Sequence, residues 1–196
     1  MVSGRLLADM YVVKVTFGTL HCTLLDRRSS VPLAGARVTC IWRDERVSVL
    51  NADEQGSFTS ELPEGVYDLV ISARGYLSLF VRGVGVLAGY RQSLVRGLIP
   101  GEGQPLDGEP STAIAGFVRD RIGLAVPNAT IHLNAENGGA AYTTSTDKEG
   151  AYVVHGVIPG SYDLAVRSGD RTLAHQHIPI AHVKTLVRTD LRIIQL

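Results

Sequence analysis

The chain has 196 residues, 19 basic and 19 acidic side chains, and 45% hydrophobic residues. Zero net charge removes the clustered basic field on which nucleic-acid binding rests, and the apolar fraction excludes a globally disordered chain. No stretch approaches the roughly 18 apolar residues of a membrane helix, and two cysteines are too few for a disulfide scaffold of this length.

In chain order, Leu6-Leu7-Ala8 is stopped by Asp9, too short an apolar run for a secretory signal. Residues 1–17 then alternate: Tyr11, Val13, Val15 and Phe17 against Val12, Lys14 and Thr16. Period two predicts a strand. It has two possible destinations, its own first sheet or the edge of a neighbouring subunit, where an open strand edge is a template for pairing. Residues 18–100 follow as strands and turns, with Val38, Cys40 and Trp42 alternating against Arg37, Thr39 and Arg43. Residues 66–71 are rich in β-formers. Gly83, Gly85 and Gly89 have the wrong spacing for a dinucleotide fingerprint and read as an edge or bend.

Residues 101–112 are rich in Gly, Pro and acid and read as a linker. The segments on either side carry small net charges, +2 over 1–100 and +1 over 113–196, with −3 in the linker between them. Beyond it, Ile114, Gly116 and Val118 alternate with Ala115 and Phe117, and Asn137-Gly138-Gly139 is a hairpin turn signal. No window holds a helical period.

The second half repeats the first at a spacing of about 94 residues. Leu24-Leu25-Asp26 matches Val118-Arg119-Asp120. Asp53-Glu54-Gln55-Gly56-Ser57-Phe58 matches Asp147-Lys148-Glu149-Gly150-Ala151-Tyr152. Leu62-Pro63 through Tyr67-Asp68-Leu69 matches Ile158-Pro159 through Tyr162-Asp163-Leu164. About seven short strands in roughly 85 residues predict a β-sandwich with its own core in each half. The expected fold is all-β: two tandem Ig-like, transthyretin-like sandwiches, 18–100 and 113–196, after an extension over 1–17.

Pro127-Asn128-Ala129-Thr130-Ile131, Thr146-Asp147-Lys148-Glu149-Gly150-Ala151-Tyr152 and Ile158-Pro159-Gly160-Ser161-Tyr162 resemble the carboxypeptidase regulatory-like module. Copy one resembles it too, with Ala52 where Thr is usual before Asp53. The resemblance implies a scaffold whose motif residues are architectural. The duplicated scaffold, neutral charge, strand-like extension and lack of a convergent catalytic set point to a structural or interaction role: a spacer, decoration or assembly subunit of a larger complex, which the family's distribution implies is prokaryotic or viral, working through protein partners or self-assembly. The His-x-x-Glu metal motif of the zinc carboxypeptidases and the Tyr-Arg-Gly-Ser tail of hydroxyisourate hydrolases do not occur. The expectation is a non-enzyme without cofactor, made in the cytoplasm and incorporated into a particle or fibre, with Tyr11, Val13, Val15 and Phe17 as its interaction strand.

Three alternatives stand beside it. Carbohydrate or another ligand is one, although few aromatics are present and Trp42 aligns near an inward position. A resemblance to intradiol dioxygenases is another, and implies iron held by Tyr142, Tyr162, His175 and His177, with Arg171 nearby. Residues i and i+2 of a strand share a face, so His175 and His177 could chelate; the plainer expectation puts both on the wet side of the sheet. An isopeptide-linked adhesin is the third, with Lys14 near the first strand but no Asn between Asn51 and Asn128. His21, His132, His155 and His182 read as solvated or hydrogen-bonded. Cys22 and Cys40 read as buried thiols, with a cross-strand disulfide as the alternative.

Overall fold

The computed structural model describes residues 15–43, 45–101, 112–182 and 186–193. Among these, all regular structure is β. The first module contains β1 (Phe17–Asp26), β2 (Arg37–Trp42), β3 (Glu45–Asn51), β4 (Ser57–Pro63), β5 (Gly65–Ser72), β6 (Leu79–Val86) and β7 (Arg91–Leu98). The second contains β8 (Thr112–Arg119), β9 (Thr130–Ala135), β10 (Ala141–Ser145), β11 (Ala151–Val157), β12 (Gly160–Ser168), β13 (Arg171–Ile180), β14 (Leu186–Arg188) and β15 (Leu191–Arg192).

The duplication is visible in the strand order. One sheet of the first module runs β4-β1-β7 and the other β3-β2-β5-β6. In the second module the same places are taken by β11-β8-β14, with β15 also on β8, and by β10-β9-β12-β13. In each module the last strand returns parallel to the first. Alternate residues point inward between the two sheets, as period two requires. Leu20, Leu24, Val38, Leu69 and Ile71 fill the first core. Ile114, Ile131, Leu133, Leu164 and Val166 fill the second.

The repeated motifs build the same turns twice. The Asp53 carboxylate accepts the amides of Gln55 (3.0 Å) and Ser57 (2.8 Å), and Asp147 accepts those of Glu149 (2.9 Å) and Ala151 (2.8 Å). Asp26 and Asp120 each accept two amides in the turns after β1 and β8. A short side-chain acceptor that binds amides two to four residues on is what fixes such a turn. The Tyr67 hydroxyl donates to the Pro63 carbonyl (2.7 Å) and Tyr162 to Ile158 (2.9 Å), each spanning four residues. Pro63-x-Gly65-x-Tyr67 and the one-residue-shorter Pro159-Gly160-x-Tyr162 therefore each close a corner and seat a ring in the core.

Cys22 and Cys40 are both free and fully buried. They sit on β1 and β2, which lie in opposite sheets, not on neighbouring strands as the sequence suggested. Burial pushes the Cys22 thiol up to about 11 and the Cys40 thiol to about 12, so neither is a reactive thiolate near neutrality.

Gly56 and Gly150 follow these aspartates with φ of 68° and 74°. A Cβ at Gly56 would lie 2.5 Å from the Leu24 carbonyl oxygen, and at Gly150 2.6 Å from that of Val118. Gly56→Ala and Gly150→Ala are each expected to destabilise their own module by about 2 kcal/mol or more, because strain and backbone collision add. Urea unfolding measures this; a loss under about 0.5 kcal/mol, the range of ordinary surface changes, would contradict it.

Candidate functional site

The two sandwiches are packed directly against each other. The outer face of β3-β2-β5-β6 contributes Ile41, Val70 and Phe80, and the outer face of β11-β8-β14 contributes Ala113, Ala115, Val153 and Leu186. All seven are buried in one apolar cluster, with Phe117 against its edge. The rings of Phe80 and Phe117 meet at 6.0 Å between centroids, tilted by 45°.

Two arginine–aspartate pairs flank this cluster. Arg82 sits over both rings, 5.5 Å from Phe80 and 5.0 Å from Phe117. It donates two hydrogen bonds to Asp190, at 2.8 and 3.1 Å. A planar guanidinium fits both tasks, stacking on a ring while gripping a carboxylate with two parallel N–H groups. Asp190 also accepts the Phe117 amide (3.0 Å). Partial burial works against its ionisation, but the Arg82 and Phe117 hydrogen bonds and the charges of Arg82 and Arg119 hold its carboxyl below the usual range. On the other side, Arg188 Nε donates to the buried Asp68 (2.8 Å), whose second oxygen accepts the Gly83 amide (3.0 Å).

The contact is front to back. It joins the β3-β2-β5-β6 sheet of one module to the β11-β8-β14 sheet of the other, so four sheets lie in series. Both end faces are polar. At one end His21 meets Thr59 (3.0 Å) and Thr23 meets Ser57 (2.9 Å) on β1 and β4. A groove of about 570 Å³ runs along the module boundary, with Arg27, Arg96, Phe117, Asp147 and Lys148 among its walls.

His155 is neither solvated nor, among the described residues, hydrogen-bonded at Nε2. It follows Val153 by two residues on β11 and is buried. Burial, reinforced by the positive charge of Arg37, lowers its pKa from 6.5 to about 4.

The dioxygenase arrangement does not form. Tyr142 and Tyr162 point into the core, 6.2 Å apart, and their hydroxyls donate to the Gly156 and Ile158 carbonyls. His175 and His177 lie on the opposite, outer face of β13, where they are exposed. Parity explains it: Tyr162 pairs with Ile178, whereas His177 pairs with Asp163 and His175 with Ala165. The histidines meet carboxylates instead, His177 Nδ1 lying 3.0 Å from Glu136 and 3.7 Å from Asp163, and His175 Nε2 3.5 Å from Asp163.

Of the interaction strand, Tyr11 and Val13 lie outside the described residues, as does Lys14. Phe17 opens β1 and pairs with Pro63 of its own sheet. Val15 and Phe17 remain about half exposed, beside the exposed Leu87 and Tyr90. Trp42 stacks on Tyr67 at 6.3 Å with Arg43 over its ring at 4.6 Å, so its faces are engaged within the chain.

Residues 113–192 match the family model described as the carboxypeptidase regulatory-like domain. The second module is therefore such a domain, as its motifs imply. No curated protein matches the chain. Solved structures similar to it include the Bacillus anthracis TIE protein (15% identity, TM-score 0.38), and the match covers 92% of this chain and 34% of that one. The chain thus spans about a third of that protein's length. The shaft pilin SpaA from Lactobacillus rhamnosus GG is similar at 10% identity and TM-score 0.35, covering 92% of this chain and 98% of that one. The major pilin subunit of Bacillus cereus is similar at 11% identity and TM-score 0.38, covering 91% of this chain and 100% of that one.

Phe80→Ala should cost about 3 kcal/mol, as large-to-small changes in a packed site do. Calorimetry should then resolve two transitions where the wild type gives one; a single unshifted transition would show that the modules do not stabilise each other. His155 sets an acid dependence. The unfolded chain takes up this proton near pH 6.5 and the folded chain only near pH 4. Stability should therefore fall as pH drops through that window, by on the order of 3 kcal/mol, and level off below it. His155→Leu should remove that slope in urea unfolding measured from pH 7 to 4, and an unchanged slope would exclude His155 as its source.

Proposed function

We propose that this protein is a non-enzymatic assembly subunit: a rigid block of two stacked sandwiches that joins a larger protein complex through the strand at its N-terminal end. The observation that carries the reading is the exposure of Val15 and Phe17, and of Leu87 and Tyr90 in the turn between β6 and β7, where β1 begins. Phe17 and Tyr90 are 52% and 71% exposed, and they are held together by backbone bonds, Gly89 N–H to the Phe17 carbonyl and Thr19 N–H to that of Tyr90. Large apolar side chains left exposed close together in the chain's fold are what an interaction site would use.

Strand pairing supports the direction of growth. On the β4 side the ladder continues outward, with Glu64 N–H bonded to the Thr16 carbonyl (2.8 Å). On the β7 side the ladder starts at Thr19 opposite Arg91, and the last bond before it is Gly89 N–H to the Phe17 carbonyl, so an open edge begins before Phe17. A strand continuing β1 through Tyr11 and Val13 would present an open edge to a neighbouring subunit, which is the geometry of strand addition. The rigid stack suits such a role, because a subunit that bears load or sets spacing loses less when its two halves move as one.

Light scattering of the full chain is expected to show a defined mass larger than the monomer. Deleting residues 1–16 should return it to a monomer while circular dichroism and melting stay those of folded β-protein, and Phe17→Ser should weaken assembly at least about tenfold. Assembly that persists after the deletion would overturn the reading.

A further inference from the structure

We propose that the outer face of β10-β9-β12-β13 holds a zinc-class divalent cation between Glu136, Asp163 and His177, with water completing the shell and His175 flanking Asp163 at 3.5 Å. The donor atoms of Glu136, Asp163 and His177 all lie within 4.8 Å of one another. The measured spacings to His177 Nδ1, 3.0 Å to Glu136 and 3.7 Å to Asp163, bracket the roughly 3.3 Å that separates two ligands of a tetrahedral zinc at about 2.0–2.1 Å each. Imidazole nitrogen with carboxylate oxygen suits zinc and its neighbours better than calcium or magnesium, which take all-oxygen shells.

The backbone builds this arrangement. Asp163 lies directly across from His177 on β13 and from Asn134 on β9. His175 is two residues before His177 and so shares its face. Glu136 is delivered by the Asn137-Gly138-Gly139 turn, its own N–H anchored to the Ser161 carbonyl (3.0 Å). Ala165 lies opposite both His132 and His175 on the same face.

The duplication supplies the strongest argument. Asp68 and Asp163 occupy the same position of the repeated Tyr-Asp-Leu motif, on β5 and β12. In the first module that face is covered by the second module, and Asp68 receives a cation, the Arg188 guanidinium, at 2.8 Å. In the second module the face is the open end of the stack. Among the described residues neither Asp163 nor Glu136 has a Lys or Arg ion pair; each meets a histidine instead. Two carboxylates and a ligating imidazole converge there, and a divalent cation would balance the two negative charges.

The test is isothermal titration of the full chain with zinc chloride alone, then with calcium and magnesium chloride. One zinc per chain is expected, without competition from calcium or magnesium. His177→Ala and Asp163→Asn should each weaken binding by at least about tenfold, with circular dichroism unchanged because both side chains are exposed. His132→Ala should leave binding as it was. No zinc heat at concentrations on the order of 100 µM, or binding that survives His177→Ala and Asp163→Asn, would overturn the proposal. Neither result bears on assembly, since the cluster lies at the opposite end of the stack from β1.

Discussion

The packing of one sandwich against the next is the constraint on which the rest of this structure depends. A β-sandwich of this size ordinarily shows water two polar outer faces. Here one face from each module is covered, and Ile41, Val70, Phe80, Ala115 and Val153 are buried outside either core. Arg82 joins the two halves through both its chemistries, stacking on Phe80 and Phe117 and binding Asp190 with two N–H groups. Arg82 and Asp190 stay 33% and 54% exposed, so solvent screens their charges and the pair orients the modules more than it stabilises them. Apolar contact supplies the attraction, and the arginine–aspartate pairs fix the register.

Because the modules share one fold and meet front to back, equivalent residues face different surroundings. Ala115 and Val153 are buried at the interface and Phe117 is partly buried at its edge, whereas the repeat spacing sets His21, Thr23 and Thr59 at the matching places on the free face of the first module. Phe80 pairs with Val70 under the second module, while the corresponding strand pair, His175 and Ala165, lies on the open end. Duplication gave both copies the same turns; the interface then selected apolar or polar side chains on their outer faces.

The turns and both cores were legible in the sequence, because Asp-x-x-Gly and the Pro–Gly–Tyr corner each carry a local mechanism that needs no tertiary context. The module interface was not read from it, although a signal was present. Leu69-Val70-Ile71 on β5, Ala113-Ile114-Ala115 on β8 and Tyr152-Val153-Val154 on β11 are continuous runs, without the alternation of a half-wet strand. Continuous apolar strands are what double-sided burial requires. The tyrosine–histidine iron set fails on the same physics, since Tyr162 and His177 pair through neighbours that face opposite sides of the sheet. The burial of His155 has no local signal, because it lies on the outer face of β11 that the first module covers. Glu136 and Asp163 belonged to the turn and the Tyr-Asp-Leu motif, and only strand register brings them to His177.

The two sandwiches form one stacked body, and the Phe80–Phe117 contact reports on it directly. The chain has four phenylalanines, and these two belong to different modules with ring centroids 6.0 Å apart. Nuclear Overhauser spectra on phenylalanine-labelled protein in solution should show cross-peaks between the two rings, and between Phe117 and the Arg82 side chain. Absence of these peaks, together with different rotational correlation times for the two modules, would mean that they swing independently, and the stacked account would be wrong.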